Sequence, residues 1–268
     1  MKNTKIKRTL LEALQKAGKI IRSNFGKEQK ITKKGEFNLV TEIDKAAEKA
    51  IVELVLRHFP DHSILAEESP AITGSEYRWV IDPIDGTTNF THGFPIVSVS
   101  IGLEKSGQLI LGGVFDPFRK ELFFAERGQG AFLNGRPIHV SKASTLSESL
   151  LATGFPYDRK NNPEDYLDML RVFLTQIQGI RRGGSAAIDL CYVACGRFDG
   201  YYEMKLSPWD KAAGMMIVEE AGGKLTDFSG TPLTLSGLQN LATNGLIHDE
   251  MLRALAPFIH LGRPAPVL

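Results

Sequence analysis

The chain has 268 residues, with 32 Lys and Arg against 31 Asp and Glu and a formal charge of +1. That balance excludes a generic binder of phosphate backbones, which carries a basic excess. Its two cysteines are too few for a disulfide framework, and no apolar run approaches the roughly 20 residues that span a bilayer. At roughly 150 residues per domain, the length suits one large domain or two modest ones.

The first predicted element is a helix, with Ile6, Leu10, Leu11, Leu14, Ala17, Ile20 and Ile21 at helical spacing and Gly26 as its stop. Its start is basic, but Glu12, Gln15 and Lys16 interrupt any signal-peptide core, so a cytoplasmic protein is expected. A second amphipathic helix is predicted over 43–59, ending before Pro60, and short strands over 63–66 and 78–81. Apolar runs over 96–126, broken by SGQ and DPFRK, read as an antiparallel meander. Gly128, Gly130, Asn134, Gly135 and Pro137 read as a loop-rich edge. From about Leu150, strand-like runs alternate with helical stretches near 163–175, 185–196, 208–221 and 248–258, the α/β signature. The expected division is an α+β half over 1–144 and an α/β half over 145–268. With no linker between them, a cleft at their junction is a favoured place for a small-molecule site.

The densest group of functional residue types runs from Trp79 to Phe90. An apolar strand delivers Asp82 at its end, and Pro83, which cannot continue a central ladder, predicts a turn there. Asp85 lies three positions on, where both carboxylates can converge. Two converging carboxylates repel unless a divalent cation lies between them. Gly86 lets backbone N–H groups approach an anion, and Thr87, Thr88 and Asn89 can open a short helix, together a phosphate cradle. Carboxylates for metal beside amides for phosphate point to metal-assisted phosphoryl chemistry. Asp-Pro-x-Asp-Gly is also an ordinary turn sequence. Glu67 and Glu68 add acids at another strand end, and Asp210 follows Pro208 and Trp209 just inside a helix, where a capping role is the alternative.

The pieces Glu67-Glu68, DPIDGTTNF at 82–90, PWDKAAG at 208–214 and EEAGG at 219–223 closely resemble the inositol monophosphatase family. LVTEID at 39–44, GQGA at 128–131 and GSAA at 184–187 match as well, in the family's order. ATGFP at 152–156 and DGYYE at 199–203 resemble the bacterial members of the SuhB type most. The resemblance covers nearly the whole chain. It implies a layered αβαβα sandwich and a lithium-sensitive phosphatase that converts myo-inositol monophosphate to inositol and phosphate. It implies that Glu67, Asp82 and the Ile84 carbonyl bind a first metal, and Asp82, Asp85 and Asp210 a second. Asp44 and Thr87 match the pair that activates the attacking water, and Gly86 and Thr87 the amides that hold phosphate. Glu203 with Gly184, Ser185 and Ala186 matches the contacts to the ring, and Lys33 a lysine on a loop near the metals. Such hard oxygen donors favour two or three Mg²⁺ ions, with Mn²⁺ a possible substitute.

A broader sugar phosphatase, including one acting on fructose 1,6-bisphosphate, is the rival enzyme. A nucleotide 3′-phosphatase fits less well, because such enzymes resemble a Lys-Gly pair where Thr88 and Asn89 stand. SuhB-type members also join bacterial transcription complexes, so a protein partner there is the rival of another class. A homodimer is implied by the resemblance. Neither a membrane nor direct nucleic-acid binding is expected. Cys191 and Cys195, four apart on one helix face, read as buried free thiols.

Overall fold

The computed structural model describes residues 2–28, 31–33, 39–161 and 163–261. In chain order it contains α1 (Lys2–Asn24), β1 (Ile31–Lys33), β2 (Leu39–Thr41), α2 (Glu42–His58), β3 (Ser63–Ala66), β4 (Tyr77–Asp85) and α3 (Thr87–Thr91). β5 (Ser98–Lys105), β6 (Gln108–Asp116), β7 (Glu121–Glu126), β8 (Gly130–Leu133) and β9 (Arg136–Ile138) follow. The second half comprises β10 (Leu150–Thr153), α4 (Pro163–Leu174), β11 (Gly179–Arg181), α5 (Ala186–Ala194) and β12 (Gly200–Met204). It ends with α6 (Pro208–Glu220), β13 (Lys224–Thr226), β14 (Gln239–Thr243) and α7 (His248–Leu255). None of the described helices is long and apolar enough to cross a membrane.

Period-two burial along the strands builds the layers. Trp79 and Ile81 of β4 pack with α1 and α2, whereas Val80 between them packs with α5 and α6 on the opposite face. Ala152, Tyr201 and Ala242 of the five-stranded sheet meet α5 and α6 from the other side. Their neighbours Leu151, Tyr202 and Leu241 face α4 and α7. The order is therefore helices, the sheet β3-β4-β5-β6-β7-β8-β9, helices, the sheet β11-β10-β12-β14-β13, helices. This is the αβαβα sandwich that the resemblance implies. Most of the larger sheet is antiparallel, with β3 parallel to β4, and in the smaller one β10 runs parallel to both β11 and β12.

Helix α6 lies directly on the larger sheet. A Cβ on Gly112 would stand 2.6 Å from the Ala213 carbonyl oxygen, and one on Gly102 would stand 2.8 Å from the Ala212 Cβ. Glycine on the strands and alanine on the helix permit this approach, which fixes the height of the first turn of α6 above β4 and β5.

Two expectations change. The chain does not turn at Pro83: β4 runs through it to Asp85, and the register against β5 shifts between Asp82 and Asp85. Proline is tolerated because it sits in this bulge, where a ladder hydrogen bond is already missing. The edge at 128–137 is a hairpin rather than loop. Asn134 and Gly135, both at positive φ, link β8 to β9 across a two-residue turn.

Candidate active site

The bulge in β4 brings the acids together. Positions 82 and 85 would point to opposite faces of a regular strand. Here Asp82 pairs with Ser100 and Asp85 with Ser98, two residues of β5 that share a face, so both carboxylates project on the α5 and α6 side. Ser98 Oγ lies 3.3 Å from Ser185 Oγ, and Ser100 Oγ donates to the Trp209 carbonyl at 3.3 Å, which locks that face to both helices. Glu67 arrives from the end of β3, its amide donating to the Ile81 carbonyl at 3.2 Å. Asp210 stands in the first turn of α6 and accepts from the Ser207 amide at 2.6 Å. It is thus a residue inside the helix reaching back to the capping position, while Ser207 occupies the cap itself.

Glu67, Asp82, Ile84, Asp85, Gly86, Thr87, Gly184, Ala186, Glu203 and Asp210 all line one cavity of about 710 Å³. Asp44 and Ser185 stand behind its wall. Thr41 caps α2, and Asp44, in the first turn, reaches back to accept from the Thr41 amide at 2.8 Å, while its other oxygen accepts from the Thr87 hydroxyl at 2.8 Å. The same hydroxyl lies 3.0 Å from the Ile84 carbonyl oxygen. Ser185 caps α5, and its hydroxyl donates to Asp85 at 2.6 Å; the Ala187 amide donates to the same oxygen at 2.7 Å. Lys33 ends β1, opposite Leu39, but its side chain lies outside the described residues.

Electrostatics single out the acids. Burial, then the charges of Glu67, Asp85, Asp210 and Asp44, push the Asp82 carboxyl well above the usual carboxylate range. Burial and then Asp85 and Glu67 do the same to Asp210. Burial raises Asp85 to about 6, against the hydrogen bonds from Ser185 and Ala187. Glu203 is raised to about 7 by burial, although the Tyr201 phenol donates to it at 2.5 Å. A Cβ on Gly154 would overlap the Glu203 carboxylate, so glycine there makes room for it.

Among the described residues, no three His, Cys, Asp or Glu side chains already form a group that could hold a metal. Mg²⁺ does not require such a cage: it is held by one or two carboxylates plus substrate oxygens and keeps several waters. Mutually repelling buried carboxylates, all-oxygen donors and the Ile84 carbonyl fit a hard divalent cation for that reason.

Tyr157, Arg159, Arg182 and Lys205, which no sequence motif marked, line the same cavity, as does Trp209. Arg182 lowers the pKa of both Asp85 and Glu203 by its charge. Its sequence signal was a basic pair directly before Gly183-Gly184. Asn89 also emerges, donating to the Ile96 and Gly183 carbonyls at 2.8 and 2.9 Å and so tying α3 to the loop before α5. The cysteines are both free, with their thiols raised by burial. His62 is a core residue that accepts from the Trp79 indole at 3.0 Å and stacks on Phe59 and Tyr77.

A sequence profile described as the inositol monophosphatase family matches residues 2–260. An inositol-1-monophosphatase from Synechocystis sp. is 51% identical over 250 residues, covering 91% of this chain and 86% of its own length. A protein named Nus factor SuhB from Pseudomonas aeruginosa is 42% identical, covering 93% of this chain and 95% of its own. The solved inositol monophosphatase of Anabaena (Nostoc) sp. superposes with a TM-score of 0.87 at 45% identity, over 96% of this chain and 97% of that one. The chain is a phosphatase and belongs to the inositol monophosphatase family.

Proposed function

We propose that the chain hydrolyses myo-inositol monophosphate to inositol and phosphate, with two Mg²⁺ ions activating water. The observation that carries this reading is the meeting of four acids, a Thr87–Asp44 hydrogen bond and a fifth carboxylate, Glu203, at one cavity. In it, Glu67, Asp82 and the Ile84 carbonyl would hold one ion, and Asp82, Asp85 and Asp210 the other. When bound, such a pair lowers the pKa of water and stabilises the leaving alkoxide. The Thr87 hydroxyl, aligned by Asp44, orients the attacking water, and Asp44 is placed to receive its proton through that hydroxyl. Gly86 and Thr87 offer their amides to the phosphate. Glu203, flanked by Gly184 and Ala186, accepts hydrogen bonds from ring hydroxyls, and Ser185 acts one step back by holding Asp85. Inhibition by lithium, a homodimer and a cytoplasmic location complete the reading.

The test is phosphate release from inositol 1-phosphate, fructose 1,6-bisphosphate and a nucleotide 3′-phosphate, with Mg²⁺ and with chelator. The highest kcat/KM is expected on the inositol ester, and none on any ester after chelation. Preference for fructose 1,6-bisphosphate would make the chain a broader sugar phosphatase.

A second reading comes from the relative named Nus factor SuhB. It makes this chain a protein partner in transcription complexes as well. Retention of RNA polymerase factors by the immobilised protein would support it.

A further inference from the structure

Lys205 directly follows β12 and stands two residues beyond Glu203. Its φ is +61°, in the left-handed region that costs an L-residue free energy and glycine almost none. Its ammonium pairs with Asp158 and donates to the Tyr166 hydroxyl at 3.2 Å, and that hydroxyl donates to the second Asp158 oxygen at 3.2 Å.

Asp158 lies in the connection between β10 and α4. Gly154, Phe155, Pro156, Tyr157 and Arg159 from this connection all line the cavity, and Asp158 does not. It points instead to Lys205, while its two chain neighbours face the site. The cluster therefore ties the outer cavity wall to the strand that delivers Glu203. Its ion pair is 30% exposed on the lysine side and 40% on the aspartate side, so it adds little to global stability.

We propose that Lys205 is a positioning residue which, through Asp158 and Tyr166, fastens the 154–160 segment to the end of β12 and so sets affinity for the ring of the phosphate ester. The proposal rests on the phosphatase reading above, and its test separates the two. Lys205→Gly removes the ammonium and relieves the left-handed backbone, so Tm should stay within about 2 °C. KM for inositol 1-phosphate should rise about fivefold with kcat held within about twofold, the scale of losing an anchor of about 1 kcal/mol. Tryptic cleavage after Arg159 or Lys160, followed without metal or substrate, should quicken by about the same factor. Asp158→Asn should match it, the double variant should add little to either single, and Lys205→Arg should restore KM and protection.

Unchanged KM and cleavage in both single variants would overturn the clamp. So would kcat and Tm falling together, or additive effects in the double variant, since these mark a general structural role. A wild-type chain inactive on inositol 1-phosphate would refute the substrate reading, and cleavage rates would still decide whether the segment is fastened.

Discussion

Asp210 gives one oxygen to the Ser207 amide, a capping bond, and lies at the cavity, where burial and then the charges of Asp85 and Glu67 raise its pKa. Asparagine keeps an acceptor for the amide and removes a repelled charge. Asp210→Asn should therefore leave the metal-free Tm unchanged or higher, and lower kcat by about 100-fold or more, beyond the effect of groups that only orient ligands. A stability loss of about 1 kcal/mol with intact turnover would make it a capping residue alone. Thr87→Val tests the water-activating pair: kcat should fall about 100-fold, the scale of a positioned proton-transfer partner, and Thr87→Ser should recover most of it. Unchanged kcat in Thr87→Val would reduce the Thr87–Asp44 bond to a link between α2 and α3. At this scale the sequence was most informative where side-chain chemistry alone marks a residue, as with Asp82, Asp85 and Glu67. It did not give the partner where a role depends on a distant residue. Ser185 meets Asp85 and Lys205 meets Asp158 only because the fold brings them together.

Elements set the geometry that these residues need. The bulge in β4 turns two carboxylates to one face, and small residues let α6 settle on β5 and β6 at the height that Asp210 requires. Gly112→Ala places a methyl 2.6 Å from the Ala213 oxygen and 2.9 Å from the Met216 Cβ, both in α6. It should destabilise the fold by about 1–3 kcal/mol, as overpacking does, and lower kcat by shifting Asp210. Wild-type Tm and kcat in that variant would show that α6 is free to adjust. Helices with a long apolar stripe were legible in the sequence, α1 and α2 above all, since burial against one sheet imposes the period. The course of β4 through Pro83 was not, because a bulge depends on the partner strand. The β8–β9 hairpin carried a readable signal in Asn134-Gly135, obscured by the surrounding glycines and proline.

For the whole molecule, the buried acids link stability to pH and to cations. A carboxyl whose folded pKa lies above its unfolded value favours folding while protonated and loses that contribution as pH rises. For Asp85 the loss falls between about pH 4 and about 6, and for Glu203 between about 4.5 and about 7. Asp82 and Asp210, also raised, act in the same direction. A divalent cation that binds these groups offsets the loss and competes with protons for them. Mg²⁺ or Mn²⁺ should therefore raise Tm more near pH 7.5 than near pH 5, measured by thermal melts across a cation titration; an equal rise at both would contradict the link. The layered fold and the grouping of acids at strand and helix ends were legible in the sequence. A cleft at the junction of the halves was expected, but the residues of its wall were not legible, because they come from segments of both halves that only the fold brings together.

The proposed chemistry depends on a cation site built around Asp82, which calorimetric Mn²⁺ titration of the wild type and Asp82→Asn, paired with turnover of inositol 1-phosphate in Mg²⁺, puts to the test. The wild type should bind the cation and release phosphate, and Asp82→Asn, still folded, should lose nearly all of both. Wild-type affinity and turnover in Asp82→Asn would contradict it.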